Sequence, residues 1–337
     1  MMFAVPIVLY FYYYPLFSEE FPQKKKFFWY VEWNNVSYER LIQSSNDIDM
    51  ISPVWWGVYP NGTIYNRILQ YDGDWDPSFL ISFCYSNNIE IHPLVSNYYE
   101  DEFSGELISE IINNQTKIST FIQSLNSLLP MYNCTGINLD FEGIPSLDRS
   151  TFTSFLRRIR DEIDHKYLIS IDVPAKTLDK KTGWSGAFDY SEIGQICDYV
   201  MILTYDYSWS SSNPGKIAPR TWVRNTLRFA LKHIPKESIF CGIPLYGYNW
   251  PNNGNQAISG GYSYFNNLIE ENDVNTKRYW NSKELHFGFT DSEGVQWYAV
   301  YPDSFTTNKK EQLINRYPIS GYCYWYLGIG DPNYWVS

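Results

Sequence analysis

Eight short runs of β-branched and aromatic residues, separated by stretches of helical period, constrain this chain more than any other feature. They are Phe27–Trp33, Ile51–Val58, Ile89–Ser96, Gly136–Glu142, Leu168–Pro174, Tyr199–Asp206, Ile239–Gly247 and Gly321–Gly328. Between them, Glu106–Leu129, Ser146–Ile163 and Pro219–His233 repeat apolar residues every three to four positions, as in the stripe Phe152, Phe155, Leu156 and Ile159. Strands that are apolar on both faces need cover on both faces, and alternating helices provide it around a parallel sheet. Eight such units in about 300 residues predict an α/β fold, a (β/α)₈ barrel. The last two runs lie too far apart for one strand–helix unit. The excess, residues 248–303, is predicted to form a small α+β insertion, with a helix over Tyr264–Asn272 and short strands near His286–Thr290 and Val295–Tyr301. Lys309–Arg316 then supplies the last helix before strand eight.

Residues 27–337 therefore read as one barrel domain that includes the insertion, with residues 1–26 as a separate segment. Met1–Phe17 is almost uninterruptedly apolar, broken by Pro6 and Pro15, and the basic cluster Lys24–Lys26 follows it instead of preceding it. We read it as an export signal or membrane anchor, which predicts a secreted or cell-surface protein. The formal charge of −11 repels phosphate backbones and argues against a nucleic-acid partner, and any membrane contact is expected through the N-terminus only. The five cysteines are scattered and odd in number, and the four histidines lie far apart. Neither pattern predicts a disulfide framework, a metal or another cofactor. No exposed heptad argues for an oligomer. Aromatic residues make up 19% of the chain; packing accounts for most of them, and the excess of Tyr and Trp also suggests flat rings offered to a ligand in a groove.

A barrel of this kind carries its chemistry at the C-terminal ends of its strands. Strand four ends Gly136-Ile-Asn138-Leu-Asp140-Phe-Glu142. Side chains alternate along a strand, so Asn138, Asp140 and Glu142 share the face opposite Ile137, Leu139 and Phe141. Buried polar groups in a row are costly without partners or purpose. Asp140 and Glu142 lie i, i+2, with Cα atoms roughly 6.5–7 Å apart. Like charges at that spacing raise one pKa and keep a proton available near neutral pH. Glu142, the outer of the two, is placed to protonate a leaving group. Two carboxylates on one face do not resemble an opposed pair straddling a scissile bond.

The segment TGINLDFE at 135–142 resembles the D-G-x-D-x-D-x-E strand of glycoside hydrolase family 18, the chitinase-like enzymes. LTYD at 203–206, GIPLYGYNW at 242–250 and GYCYWYLG at 321–328 follow in the family's order on strands six, seven and eight. Within the family, stretches such as SPVWWGVYPNGTI, PLVSN and DVPAKT are most similar to the spore-germination and cortex-lytic N-acetylglucosaminidase branch. The resemblance implies a retaining, substrate-assisted hydrolysis of β-1,4 linkages in N-acetylglucosamine polymers of the chitin or peptidoglycan type. It implies Glu142 as general acid and base, Asp140 on the substrate's acetamido N–H, and Tyr205 on the acetamido carbonyl. It further implies Asp206 on a sugar hydroxyl, Trp325 as the floor under the reacting sugar, and Tyr246, Tyr30 and Asn138 as further binding residues. Thr135 and Asn138 stand where the family strand has acidic residues, and Asn138 cannot share a proton with Asp140. Leu94-Val-Ser96-Asn97 replaces the small, glycine-bearing strand-three motif of many chitinases. Two further readings are a non-catalytic lectin on the same barrel and an endo-N-acetylglucosaminidase acting on N-glycans.

Overall fold

The computed structural model describes residues 23–33, 35–70 and 75–336. Most of the apolar N-terminal segment, including Met1–Phe17, lies outside the described residues. Strand one, Lys25–Tyr30, pairs with strand eight, Gly321–Trp325, on one side and with strand two on the other. Strand two comes in two pieces, Met50–Pro53 and Trp56–Val58, and so does strand three, Glu90–Ile91 and Leu94–Ser96. The lower pieces pair with each other, as do the upper pieces. Strands four (Gly136–Asp140), five (Leu168–Pro174), six (Tyr199–Leu203) and seven (Ile239–Pro244) continue the parallel order and return to strand eight. The eight strands thus close into the barrel expected from the sequence.

The interruptions have local causes. Pro93 has no N–H for the ladder of strand three. In strand two the Trp55 N–H turns back to the Pro53 carbonyl at 2.9 Å. The stretch Glu106–Leu129 is two helices, Gly105–Ile112 and Gln115–Met131, because Asn114 stops one turn and caps the next. Its Oδ1 accepts the N–H groups of Thr116 and Lys117.

Inside the barrel, Phe27, Trp29, Val31, Met50, Leu94, Met201, Phe240 and Cys323 form a compact buried cluster. Phe28 and Tyr30 belong instead to the larger core between the strands and the surrounding helices. The expectation that Tyr30 lines the cleft is therefore corrected. Strand one is aromatic on both faces, so its sequence carries no alternation to fix the inward register, and Trp29 is the residue that points inward.

The insertion after strand seven is a five-stranded antiparallel sheet with one helix. The strand order is Ile258–Gly260, Gly247–Pro251, Gln296–Tyr301, Leu285–Thr290, Lys277–Arg278, and the helix is Tyr262–Asn272. The sequence predicts strand seven to end at Gly247 and no strand over the next residues, since the apolar run continues without a break into Gly247–Pro251. Gly247 marks the switch of sheets: a Cβ there would lie 2.4 Å from Tyr301 Cβ. The insertion is fastened to the barrel by a buried charge pair. Glu284 accepts from the N–H groups of Ile217 (3.1 Å) and Ala218 (2.8 Å) and from Lys310 Nζ (3.0 Å). Lys310 also donates to the Ala218 carbonyl at 2.8 Å, so both buried charges have hydrogen-bonded partners.

Candidate active site

At the C-terminal end of the barrel lies a cavity of about 790 Å³. Asp140, Glu142, Tyr205, Asp206, Tyr246 and Trp325 line it together. Six of the side chains singled out in the sequence thus meet in one space, although they come from strands four, six, seven and eight.

Each is placed by a local feature. Strand four reaches Asp140 in ladder register with Ser96, and Glu142 lies just beyond the last strand residue. Tyr205 and Asp206 follow strand six, where the Thr204 hydroxyl donates to the Gly242 carbonyl at 2.5 Å. Gly242 makes room for the Tyr205 ring: a Cβ at that position would lie 2.9 Å from Tyr205 Cε1. Asp206 has a left-handed backbone, φ 57°, and its Oδ1 accepts the hydroxyls of Tyr246 and, at 3.1 Å, Tyr248. Trp325 ends strand eight and meets Trp29 edge-on at 5.5 Å between ring centroids.

Asn138 is fully buried below the cavity and does not line it. Its Oδ1 accepts from Trp29 Nε1 (3.1 Å) and Ser52 Oγ (3.0 Å), and its Nδ2 donates to Asp172 Oδ1 at 2.9 Å. The expected substrate contact is therefore replaced by a structural one, because its three polar partners come from strands one, two and five of the barrel itself. Asp172 itself, also bonded by Trp29 Nε1 at 3.2 Å, lines the cavity and was missed. Strand alternation in Leu168–Pro174 carries the missing signal, since Ser170 and Asp172 face opposite to Ile169, Ile171 and Val173. Trp29, Phe103, Trp184, Trp209 and Tyr248 also line the cavity and were not singled out. Phe103, Trp184 and Trp209 sit outside the barrel strands, where no period announces a facing direction.

The electrostatics are dominated by acid. Burial pushes the Asp140 carboxyl up to about 7, while Arg67 pulls it the other way. The Arg67 guanidinium lies 4.6 Å over the Tyr98 ring and 3.5 Å from Ser96 Oγ. Burial, then the charges of Asp140 and Asp206, hold Glu142 well above the ordinary carboxyl range. Burial and Asp140 do the same to Asp172, against the hydrogen bonds from Asn138 and Trp29. Burial raises Asp206 despite its two phenol donors, and it raises the Tyr205 hydroxyl well above its ordinary value, so Tyr205 stays an O–H donor. The arrangement offers a carboxyl held well above its ordinary range, a second carboxyl raised to about 7, a phenol donor and an indole wall around one pocket. These are the parts for proton transfer to and from a bound neutral ligand. Among the described residues, no cluster of His, Cys, Asp and Glu is arranged to hold a metal ion, and no helix is long and apolar enough to cross a membrane.

Comparison with known proteins gives a consistent result. The uncharacterized glycosylase YvbX of Bacillus subtilis (strain 168) is 26% identical over 313 residues, 91% of this chain and 89% of that one. The cortical fragment-lytic enzyme of Bacillus anthracis is 29% identical over 249 residues, 72% of this chain and 57% of the enzyme. Among solved structures, the Bacillus cereus spore cortex-lytic enzyme SleL superposes with a TM-score of 0.84 at 22% identity, covering 93% of this chain and 73% of SleL. A chitinase from Chromobacterium violaceum ATCC 12472 gives 0.83 at 21% identity, covering 93% and 97%. The profile of glycosyl hydrolases family 18 matches residues 84–329, spanning strands three to eight and the insertion, and the chain belongs to that family and is a glycosyl hydrolase.

Proposed function

We propose that this enzyme hydrolyses β-1,4 linkages of N-acetylglucosamine polymers with retention of configuration, the substrate's own 2-acetamido group acting as nucleophile. Glu142 protonates the glycosidic oxygen as the acetamido carbonyl attacks the anomeric carbon. Asp140 accepts the acetamido N–H and balances the positive charge of the cyclic intermediate. Tyr205 donates to the acetamido carbonyl oxygen and orients it. Glu142, now ionised, takes a proton from the water that opens the ring, which restores the starting state. Asp206 and Tyr246 hold sugar hydroxyls, and the sugar's apolar face rests on Trp325.

The observation that carries this reading is the shared strand end. Asp140 and Glu142 enter one pocket from the same strand, and burial with the neighbouring acids holds the Glu142 carboxyl well above its ordinary range. The names of the relatives, a cortical fragment-lytic enzyme and chitinases, support a polymer of N-acetylated amino sugars. The cortex-lytic relatives favour the peptidoglycan type. We assign the catalysis to the barrel, whose strand one starts at Lys25 and not at the expected residue 27, with the insertion at 248–303, and assign the apolar segment before it to export or anchoring, which puts the enzyme outside the cell or at its surface.

The test is product analysis. Wild type and Glu142→Gln are incubated with chitin oligomers and with peptidoglycan, and released sugars are identified by mass and anomeric configuration. The reading predicts β-anomeric products from wild type and none from Glu142→Gln, which still binds. Inverted products, or turnover by Glu142→Gln, overturn it. Binding without products assigns the barrel to a lectin, and release of intact glycans from a glycoprotein moves the substrate to N-glycans.

A further inference from the structure

Strands three and four pair in register through Leu94↔Asn138, Val95↔Leu139 and Ser96↔Asp140, and the ladder stops there. The next residue on strand three's side is Asn97, which is fully buried. Its Oδ1 accepts the Glu142 N–H at 2.9 Å and its Nδ2 donates to the Glu142 carbonyl at 2.7 Å. A side-chain amide carries the same donor and acceptor as a peptide group, so Asn97 continues the ladder by side chain to Glu142. The same Nδ2 donates to the Ser104 carbonyl at 2.9 Å, and the Ser104 N–H returns to the Asn97 carbonyl at 3.1 Å. Those bonds close the base of a hairpin, Tyr98–Tyr99 paired with Glu102–Phe103, whose Phe103 lines the cavity. On the far side of Glu142 the chain turns at Gly143 with φ 69°, and its carbonyl packs against Gly105, where a Cβ would come within 2.0 Å.

We propose that Asn97 is a positioning residue for Glu142: one buried amide fixes the main chain of the acid and ties it to the hairpin that presents Phe103 to the ligand. This rests on the reading of Glu142 as general acid and base. It also gives the Asn97 position, where this chain departs from the glycine-bearing motif of many chitinases, a task in the reaction. A misplaced acid loses proton transfer while the sugar still finds its other contacts on Trp325, Asp206 and Tyr246.

Asn97→Asp keeps the shape and the acceptor, removes both donors and sets a carboxylate oxygen against two carbonyls. Asn97→Ala removes both sides of the clamp. Hydrolysis of a chitin oligomer is measured for each beside Glu142→Gln, and binding of that oligomer is followed by tryptophan fluorescence in the Glu142→Gln background. Placement errors of about 1 Å cost on the order of 10²-fold, so kcat is expected to fall by about that factor. KM and Kd are expected to stay within about 3-fold of the parent. A kcat within about 3-fold of wild type overturns the proposal, as does a loss of binding equal to the loss of kcat, which marks Asn97 as general packing. If Glu142→Gln itself turns over, the parent reading fails. If Glu142→Gln is inactive while Asn97→Asp is fully active, only the present inference fails. Should both Asn97 variants fail to fold, amide hydrogen exchange on the wild type decides. The Glu142 N–H is expected to be protected like the ladder amides of strand four, and exchange at loop rates overturns the clamp.

Discussion

At the N-terminal end of the barrel, Lys25 meets Glu90 at 3.1 Å and the Tyr199 hydroxyl at 3.4 Å, and buried His92 bonds Ser170 Oγ at 3.2 Å. Burial pushes the Glu90 carboxyl up, but His92 and Lys25 outweigh it and hold the group below its ordinary value. At the C-terminal end, Asp140, Glu142, Asp172 and Asp206 face one cavity and all four carboxyls are raised. Among the described residues, Arg67 is the cation that counters one of these carboxyls, Asp140. One end of the same strands pairs its partly exposed charges, and the other leaves buried acid in excess. Unpaired buried acids destabilise a fold, so their concentration at the end where barrels carry chemistry supports the proposed catalytic assignment.

The largest effect should come from discharging the unneutralised end. Asp140→Asn is expected to lower kcat about 10²- to 10³-fold by removing the charge that balances the intermediate, measured as steady-state hydrolysis with ligand binding retained. A kcat within a few-fold of wild type would break the comparison, because an excess acid would then serve no step. Tyr205→Phe removes one hydrogen bond to a reacting group. That loss is worth roughly 10- to 100-fold in kcat and is read in the same assay.

Arg67 sharpens the comparison through pH. On the proposed mechanism Asp140 acts ionised, so activity is expected to fall as pH drops through about 7. Arg67→Gln withdraws the one opposing charge, and the acid limb of kcat/KM should move to higher pH by roughly half a unit to one unit. A limb that stays put excludes Arg67 as the balancing cation. The smallest effect belongs to the paired end. Glu90→Gln should leave kcat unchanged and lower the melting temperature by no more than about 2 °C, because partly exposed pairs contribute at most about 1 kcal/mol. A large loss of activity in that variant would erase the distinction between the two ends.

How much of this was legible in the sequence follows the physics of each signal. Strand alternation around Asp140 and Glu142 was readable because polar and apolar residues strictly alternate there. The same logic failed at Phe27-Phe28-Trp29-Tyr30, where both faces are apolar and the inward residue proved to be Trp29. Asn138 was read as a ligand contact because polarity on the inner face does not say which group answers it. Ser52, Trp29 and Asp172 answer it from three other strands. The insertion's presence was legible from spacing, but its Gly247–Pro251 strand was not, since one apolar run serves two sheets. Phe103, Trp184 and Trp209 became visible only once the loops that carry them were placed over the cavity.

The central claim is that the excess acid at the C-terminal end is kept for chemistry at a cost in stability. A carboxyl whose folded pKa is raised binds more protons folded than unfolded, so its contribution to stability falls as pH rises from about 4 toward the folded value. The direct test is the melting temperature and turnover of Asp140→Asn against wild type, measured on the same samples between about pH 4 and 7. We predict that the variant loses turnover yet melts higher than wild type near neutrality, by several degrees at most, with the advantage shrinking toward about pH 4. A variant that melts lower than wild type near neutrality, or that keeps turning over, contradicts the account.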